Sequence, residues 1–442
     1  MDSGDTAFVL VSAALVMFMT PGLALFYGGM VRAKNVLGTV MHSFFALGVV
    51  SVLWVLIGYT LAFGPDKGHL IGGLDYLGFA GVGQEPNPDL APTIPHLAFA
   101  AFQLFFAVIT PALISGAFAE RMRFGGYVLF TALWLLLIYA PLAHWVWAPG
   151  GWIRELGALD FAGGTVVHMN SGIAALAAAI VIGKRVGFGR EAIVPHNLPL
   201  TVLGAGMLWF GWFGFNAGSA LAANGLAASA LITTNTAAAA GAIGWALFDM
   251  LRSRRSTTLG VASGAVGGLV AITPAAGFVG PVASIAIGLA AGLVCAAATT
   301  VKFRFGYDDA LDVVGVHLVG GMLGALLIGI FANTAFNELG ADGLLAGGGL
   351  ALLGKQAVAV VATLVFSFVG SFVLLKVTQA VVGLRVTRED EATGLDLSQH
   401  AEAGYAFSEG VGGLSPATGH APTPAPSAAH ASSLPVAQGD SA

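Results

Sequence analysis

Long apolar runs separated by short polar joints set the pattern of this chain. The runs fall at roughly 6–30, 39–63, 96–118, 124–147, 161–183, 198–219, 225–251, 259–273, 280–301, 311–331 and 350–383. A bilayer crossing needs about 20 predominantly apolar residues as a helix. Leu, Val, Phe and Ala run all round each segment, without the two-residue alternation of a barrel strand. The pattern predicts an all-α polytopic membrane protein with eleven transmembrane helices. The eighth run is short and broken by Gly. The last run exceeds a bilayer's needs and predicts a strongly tilted helix.

The polar joints carry the topology. With the amino end outside, the inner joints hold Arg32 and Lys34; Arg121 and Arg123; Lys184, Arg185 and Arg190; Arg252, Arg254 and Arg255; Lys302 and Arg304; then Arg385 and Arg388. The outer joints hold only Lys67, Arg154 and Lys355, and Lys376 near the inner end of the last run can snorkel. Basic residues mark the inner side, so the amino end is expected outside and the carboxyl end inside. The acidic start, MDSGDTAFVL, lacks the basic region of a secretory signal and reads as the first span. The transmembrane domain is expected over 1–384. Residues 385–407 mix charge with leucine and predict an ordered cytoplasmic segment, with Gly394 as its hinge. Residues 408–442 are of low complexity and predict a disordered tail.

Composition agrees. The chain of 442 residues is 57% hydrophobic and 9% charged, against about 25% charged in soluble domains. Its 63 glycines permit close helix packing. A net charge of −5 offers nothing to a nucleic acid. The single cysteine, Cys295, excludes an intramolecular disulfide and a cysteine metal site.

Two stretches carry candidate chemistry. Asp160 precedes His168 by eight residues in DFAGGTVVHMN, and Asp309 precedes His317 by eight in DDALDVVGVHL. Each His follows a Val (Val167, Val316), and each has a Gly four positions later (Gly172, Gly321). The fifth run enters from outside and the tenth from inside, so spans 1–5 and 6–10 read as an inverted repeat. Such repeats share a site near the midplane. Eight residues at about 1.5 Å each reach about 12 Å, near the centre of a core about 30 Å thick. One buried His is as readily a structural residue bonded to a carbonyl. Two related by a repeat point to function. They are too few for a metal site, with no Cys or carboxylate at their depth. Asp160 reads first as a cap for the fifth helix, with its field on the outer vestibule added.

These residues resemble the signature of the ammonium transporter (Amt/Mep/Rh) family, most closely its bacterial Amt branch. Further matching stretches are FMTPGLALFYGGMVRAKN, AFQLFFAVITPALISGAFAERMRF, GMLWFGWFGFNAGS and GLRVTREDEATGLDLSQHAE, so the resemblance covers about 5–407. It implies a homotrimer of eleven-helix protomers, each with its own pore, no cofactor, no resident metal and no enzymatic activity. It implies an outer ammonium site at Trp147, Ser219 and Phe102, with the essential Asp at Asp160. Below it stand a gate of two stacked rings at Phe106 and Phe215 and the twin histidines His168 and His317. It also implies a cytoplasmic face where a PII-type signal protein can bind, and a tail that couples neighbouring pores. The topology independently gathers these aromatics at the outer mouth. Two other readings remain open: an ammonium sensor, and an Rh-type channel for small neutral gases. A membrane enzyme using the His pair would need a nucleophile, carboxylate or metal ligand at the same depth.

Overall fold

A computed structural model describes residues 1–406 of the chain. The expectation for 408–442, and residue 407 of the preceding segment, lie outside the described residues. Ten of the described helices are long and apolar enough to cross a membrane. They are α1 (Ser3–Met30), α2 (Ala33–Phe63), α3 (His96–Phe118), α4 (Phe124–Leu156), α5 (Gly164–Ile182), α6 (Leu198–Ala217), α7 (Gly225–Ser253), α9 (Pro281–Phe305), α10 (Val314–Phe331) and α11 (Ala351–Val381). The eighth run forms α8 (Thr258–Ile272), an apolar helix of only 15 residues. Turns over 273–280 follow it and meet Phe161, whose amide donates to the Pro274 carbonyl.

The helix starts follow from local chemistry. Asp2, Asn197, Asn224 and Thr257 each turn a side-chain oxygen onto an amide three residues ahead, satisfying one of the donors a helix start leaves free. The loop over 64–95 holds two small antiparallel pairings, Asp66–Lys67 with Ile71–Gly72 and Pro86–Asn87 with Ala91–Pro95.

Packing pairs the two halves of the chain. α1 lies along α6, and α5 meets α10. These pairs are the first and the last helices of each five-span half, as an inverted repeat requires. The two glycines four residues after the histidines make the second pairing possible. A Cβ on Gly172 would stand 2.3 Å from the Leu318 nitrogen, and one on Gly321 would stand 2.9 Å from the Gly164 carbonyl oxygen. Each glycine thus admits the backbone of the opposite histidine-bearing turn. Among the described residues five π-helical turns lie within the helices or at their ends, at Trp54–Gly58, Leu135–Tyr139, Gly164–Met169, Phe213–Ala217 and Val314–Leu318. Three of them carry His168, Phe215 and His317. Such turns are frequent at functional sites.

The end of the bundle holding Arg32 is tied by buried ions. Glu120 bridges Arg32 at 2.9 Å and Arg185 at 3.1 Å, and Arg185 also meets Asp308 at 2.9 Å. Burial pushes the Glu120 carboxyl up, but the Arg32 and Arg185 guanidiniums outweigh it and hold the group below its ordinary range. The chain after α11 packs on this same end. The Arg123 amide donates to Leu384, and the Val386 amide donates to Arg121. Two short helices follow, α12 (Arg388–Thr393) and α13 (Leu395–His400). Thr387 and Asp390 close a reciprocal capping box on α12. Asn35 accepts the Leu395 amide at 2.8 Å, and Asp396 accepts the Gly38 amide at 2.8 Å.

Candidate functional site

Three cavities follow one another along the core. The first, of about 190 Å³, opens at the end of the bundle that holds the loop over 64–95 and is lined by Phe102, Phe106, Trp147, Ser219, Gln103 and Asp89 among others. The second, of about 10 Å³, surrounds His168 and His317 with Phe215, Trp212 and apolar side chains. The third, of about 130 Å³, reaches the opposite end and shares Phe26, Val266 and His317 with the second.

The first cavity gathers residues from distant parts of the chain. Phe102 and Phe106 lie one turn apart on α3, with ring centroids 4.9 Å apart and edge to face. The Trp147 ring stands edge-on to Phe106 at 5.9 Å, and its indole N–H donates to the Asp160 carbonyl at 3.1 Å. The Ser219 hydroxyl donates to the Phe215 carbonyl at 2.8 Å. With its proton committed, the oxygen keeps lone pairs to accept from a ligand. Asp89 is an exposed carboxylate at the same mouth.

Between the first two cavities the Phe106 and Phe215 rings stack, with centroids 4.1 Å apart and planes 27° apart. Both are buried. They separate the vestibule from the histidines.

Below them, His168 Nδ1 and His317 Nδ1 lie 3.3 Å apart. The rings are nearly parallel, 23° apart, with centroids at 5.3 Å. Only one Nδ1 can carry the shared proton in a neutral pair. The donor ring then has a bare Nε2, and the acceptor ring has an Nε2–H. The pair therefore presents one acceptor and one donor to the passage. His168 Nε2 is buried and has no partner. Trp212 stacks on His168 at 5.3 Å and is fixed by its N–H bond to Thr273 at 2.8 Å.

Asp160 does not point its carboxylate into the vestibule. Its oxygens accept the amides of Gly163, Gly164 and Thr165 at 2.7–2.8 Å and that of Val166 at 3.3 Å, and also take the Thr165 hydroxyl. The capping role holds, in an extended form, because the helix begins at Gly164 rather than immediately after Asp160. Trp212 and Asp89 were not singled out by the sequence. Trp212 stands three residues before Phe215, inside the GMLWFGWFGFNAGS stretch, and Asp89 in the acidic loop over 64–95. Among the described residues, no group of three or more His, Cys, Asp or Glu is placed to hold a metal ion.

A helical membrane protein with two vestibules joined by a narrow, mainly apolar passage is the class these features define. The sequence model of the Ammonium Transporter Family matches residues 7–405, and the chain belongs to that family. It is 56% identical over 406 residues to the ammonium transporter of Bacillus subtilis, covering 92% of this chain and 99% of that one. Mep2 of Candida albicans superimposes with a TM-score of 0.83 at 34% identity, covering 88% of each chain. A structure described as a sensor Amt protein superimposes with a TM-score of 0.81 at 32% identity, covering 90% of this chain and 98% of that one. The protein is a multi-pass membrane protein and an ammonium transporter.

Proposed function

We propose that ammonium is captured between Phe102, Trp147 and Ser219, loses its proton there, and crosses as ammonia past Phe106 and Phe215 and along the histidines. The proton crosses separately through the His168–His317 pair. One observation carries this reading: two buried imidazoles share a contact at 3.3 Å in a cavity otherwise lined by apolar and aromatic groups.

Energetics favour the division of labour. Aromatic faces return about 0.5–2 kcal/mol to a cation. Carrying an isolated ion into an apolar passage costs far more. Potassium meets the same aromatic attraction but has no proton to give up. Ammonia is neutral, and the imidazole pair supplies the hydrogen-bond partners that it would otherwise lose. Asp160 supports the site indirectly, by holding the turn that carries His168 and the carbonyl that anchors Trp147.

In this reading the Trp147 end faces outward, α8 completes an eleventh crossing, and residues 385–407 lie in the cytoplasm. The homotrimer and the docking of a PII-type protein at the Arg385 end are carried by the resemblance. Sensing is the second reading, favoured by the likeness to the sensor Amt structure. The higher identity to the Bacillus subtilis transporter weighs for flux.

Purified protein in liposomes on a solid-supported membrane tests the proposal. Ammonium pulses are expected to evoke a current and potassium pulses none. Equal currents from both ions would defeat the deprotonation step. Ammonium-driven pH changes without current would make the protein a neutral gas channel.

A further inference from the structure

A hairpin over 66–72 is stitched to the stretch 144–152, which carries Trp147. His69 Nδ1 donates to the Gly150 carbonyl at 2.6 Å, the Trp152 amide donates to the His69 carbonyl at 3.3 Å, and the Trp145 indole donates to the Leu70 carbonyl at 2.7 Å. Gly150 lets the hairpin come close. Its φ is 85°, and a Cβ there would stand 2.8 Å from the Asp66 Cβ. Asp66 and His144 sit at the centre of this join. His144 lies on the helical turn that ends at Trp147, and its side chain is fully buried.

The His144 ring has an acceptor at each nitrogen. Nδ1 faces the Ala62 carbonyl at 3.0 Å, and Nε2 faces an Asp66 carboxylate oxygen at 2.9 Å. A neutral imidazole has one N–H and can satisfy only one of them, whereas the imidazolium satisfies both. Both acceptors suit a cation. Ala62 stands one residue from the end of α2, where carbonyls lack helical partners and the helix dipole is negative. Asp66 supplies a carboxylate. Burial pushes the Asp66 carboxyl up, but the bonds from the His144 ring and the His69 amide outweigh it and hold the group below its ordinary range. The Asp66 side chain is 24% exposed, so the solution at this end reaches the pair.

Other titratable groups stand on the elements packed against His144: Tyr59, Lys67, His69, Arg154, Glu155 and His168, with Tyr139 on its own helix. Among the described hydrogen bonds and ion pairs none of them meets the His144 ring. Tyr59 is bound to His96, Arg154 to the Trp147 carbonyl and His168 to His317.

We infer that Asp66 and the protonated ring of His144 form a charged clasp that positions Trp147, so that ammonium capture weakens when His144 gives up its proton. The inference rests on the proposal that Trp147 captures ammonium. Loss of the proton breaks one of the two bonds and frees the Trp147 turn from either α2 or the hairpin. Capture is therefore strongest in acid and weakens as the solution becomes alkaline. Histidine is the side chain suited to such a change, since its charge varies between about pH 5 and 8.

Asp66→Asn separates charge from shape. The amide it introduces donates to a bare Nε2 while the Nδ1–H keeps its bond to Ala62, so a neutral ring satisfies both sites. Ammonium-evoked currents of the full chain in liposomes are compared at about pH 6 and about pH 8, with equal pH on both faces and half-saturation expressed as ammonium ion concentration. The wild type is expected to need about threefold more ammonium at the higher pH. Asp66→Asn should need the same concentration at both, close to the wild type in acid. Asp66→Ala, which leaves the ring without its partner, should need about threefold more at both, with its maximal current kept. An equal pH dependence in wild type and Asp66→Asn, or wild-type capture in Asp66→Ala, overturns the clasp and leaves the Trp147 site standing. Absence of any ammonium current in the wild type overturns the transport proposal and the clasp with it.

Discussion

Asp160 and Asp309 hold two helix starts in the same way. One carboxylate oxygen of each accepts the amide proton of the residue five positions on, Thr165 at 2.8 Å and Val314 at 2.7 Å. Each is followed by a π-helical turn, and each turn carries the imidazole eight residues after the Asp. The repeat is thus one of local chemistry as well as of spacing. A carboxylate fixes the turn, the turn aims the imidazole, and a glycine four residues on lets the two turns meet.

The equivalence is unequal in strength. Asp160 accepts four amides and a hydroxyl, whereas the Asp309 carboxylate takes the Val314 amide at 2.7 Å with further support from the Val313 amide. Leaving buried donors unpaired costs about 1–3 kcal/mol each at most, with partial recovery by neighbours. Asp160→Ala is expected to destabilise the protein by roughly 2–4 kcal/mol and Asp309→Ala by about half that. Thermal unfolding in detergent measures both. Equal losses would mean that the extra bonds to Asp160 contribute nothing.

The histidine pair makes a separate prediction. His168→Ala removes the only described hydrogen-bond partner of the His317 ring and enlarges a cavity of about 10 Å³. Ammonium-evoked current should fall about tenfold or more, equivalent to roughly 1.4 kcal/mol on the rate-limiting barrier. Potassium currents should become measurable as water enters. If both single Ala variants retain normal current and selectivity, the imidazoles are structural.

At the Trp147 vestibule, Trp147→Leu keeps an apolar side chain but removes the aromatic face and the N–H bond to Asp160. Loss of about 1 kcal/mol of cation attraction raises the half-saturating ammonium concentration roughly fivefold. Ser219→Ala should act in the same direction. Unchanged currents at low ammonium in both variants would remove these residues from the capture site.

Topology is tested by labelling. Ser256 and Asp89 are exposed in joints that the basic-residue pattern puts on opposite sides, while the native Cys295 is buried. Ser256→Cys should react with a membrane-impermeant reagent only from the cytoplasm, and Asp89→Cys only from outside. Labelling from one side would end both the orientation and the inverted repeat.

Apolar runs revealed most of the helices, because a bilayer forces each crossing to be long and internally hydrogen-bonded. The spaced Asp, His and Gly revealed the repeat. Periodicity did not show that α5 begins with a π turn at Gly164, and so the reach of Asp160 over four amides was not legible. Trp212 was hidden for another reason: a Trp in an apolar run reads as packing, and its stacking on His168 depends on how α5 and α6 meet. The expectation of a structured segment after α11 came from leucines mixed with charge, and two short helices form over 388–400. The partners of that segment were not legible, since the bond between Leu395 and Asn35 joins residues 360 positions apart.

Gly394 is where those distant partners converge. It joins α12 to α13 with φ at 110°, a conformation that favours glycine. A Cβ there would stand 2.5 Å from the Lys34 carbonyl oxygen and 2.7 Å from the Lys34 Cβ. The corner is packed, so any side chain strains the backbone and pushes α13 away from the first turn of α2. Breaking that contact exposes Asn35 and the Gly38 amide, which Leu395 and Asp396 now satisfy. Gly394→Asp is therefore expected to release residues 395–405 without unfolding the bundle, whose helices pack independently of that corner. Limited proteolysis should cut the variant after Thr393 and leave the wild type intact. Coupling of the tail to the passage needs a contact that differs between conducting and non-conducting states. The path for such a contact runs from Glu391 through Arg385 and the turn after α5 to Arg185 and Asp308, one residue from Asp309. Ammonium-evoked current should fall in the variant at equal membrane expression, and a chain ending at residue 407 should keep normal current. A released tail with normal current would show that this segment is held in place without controlling the passage.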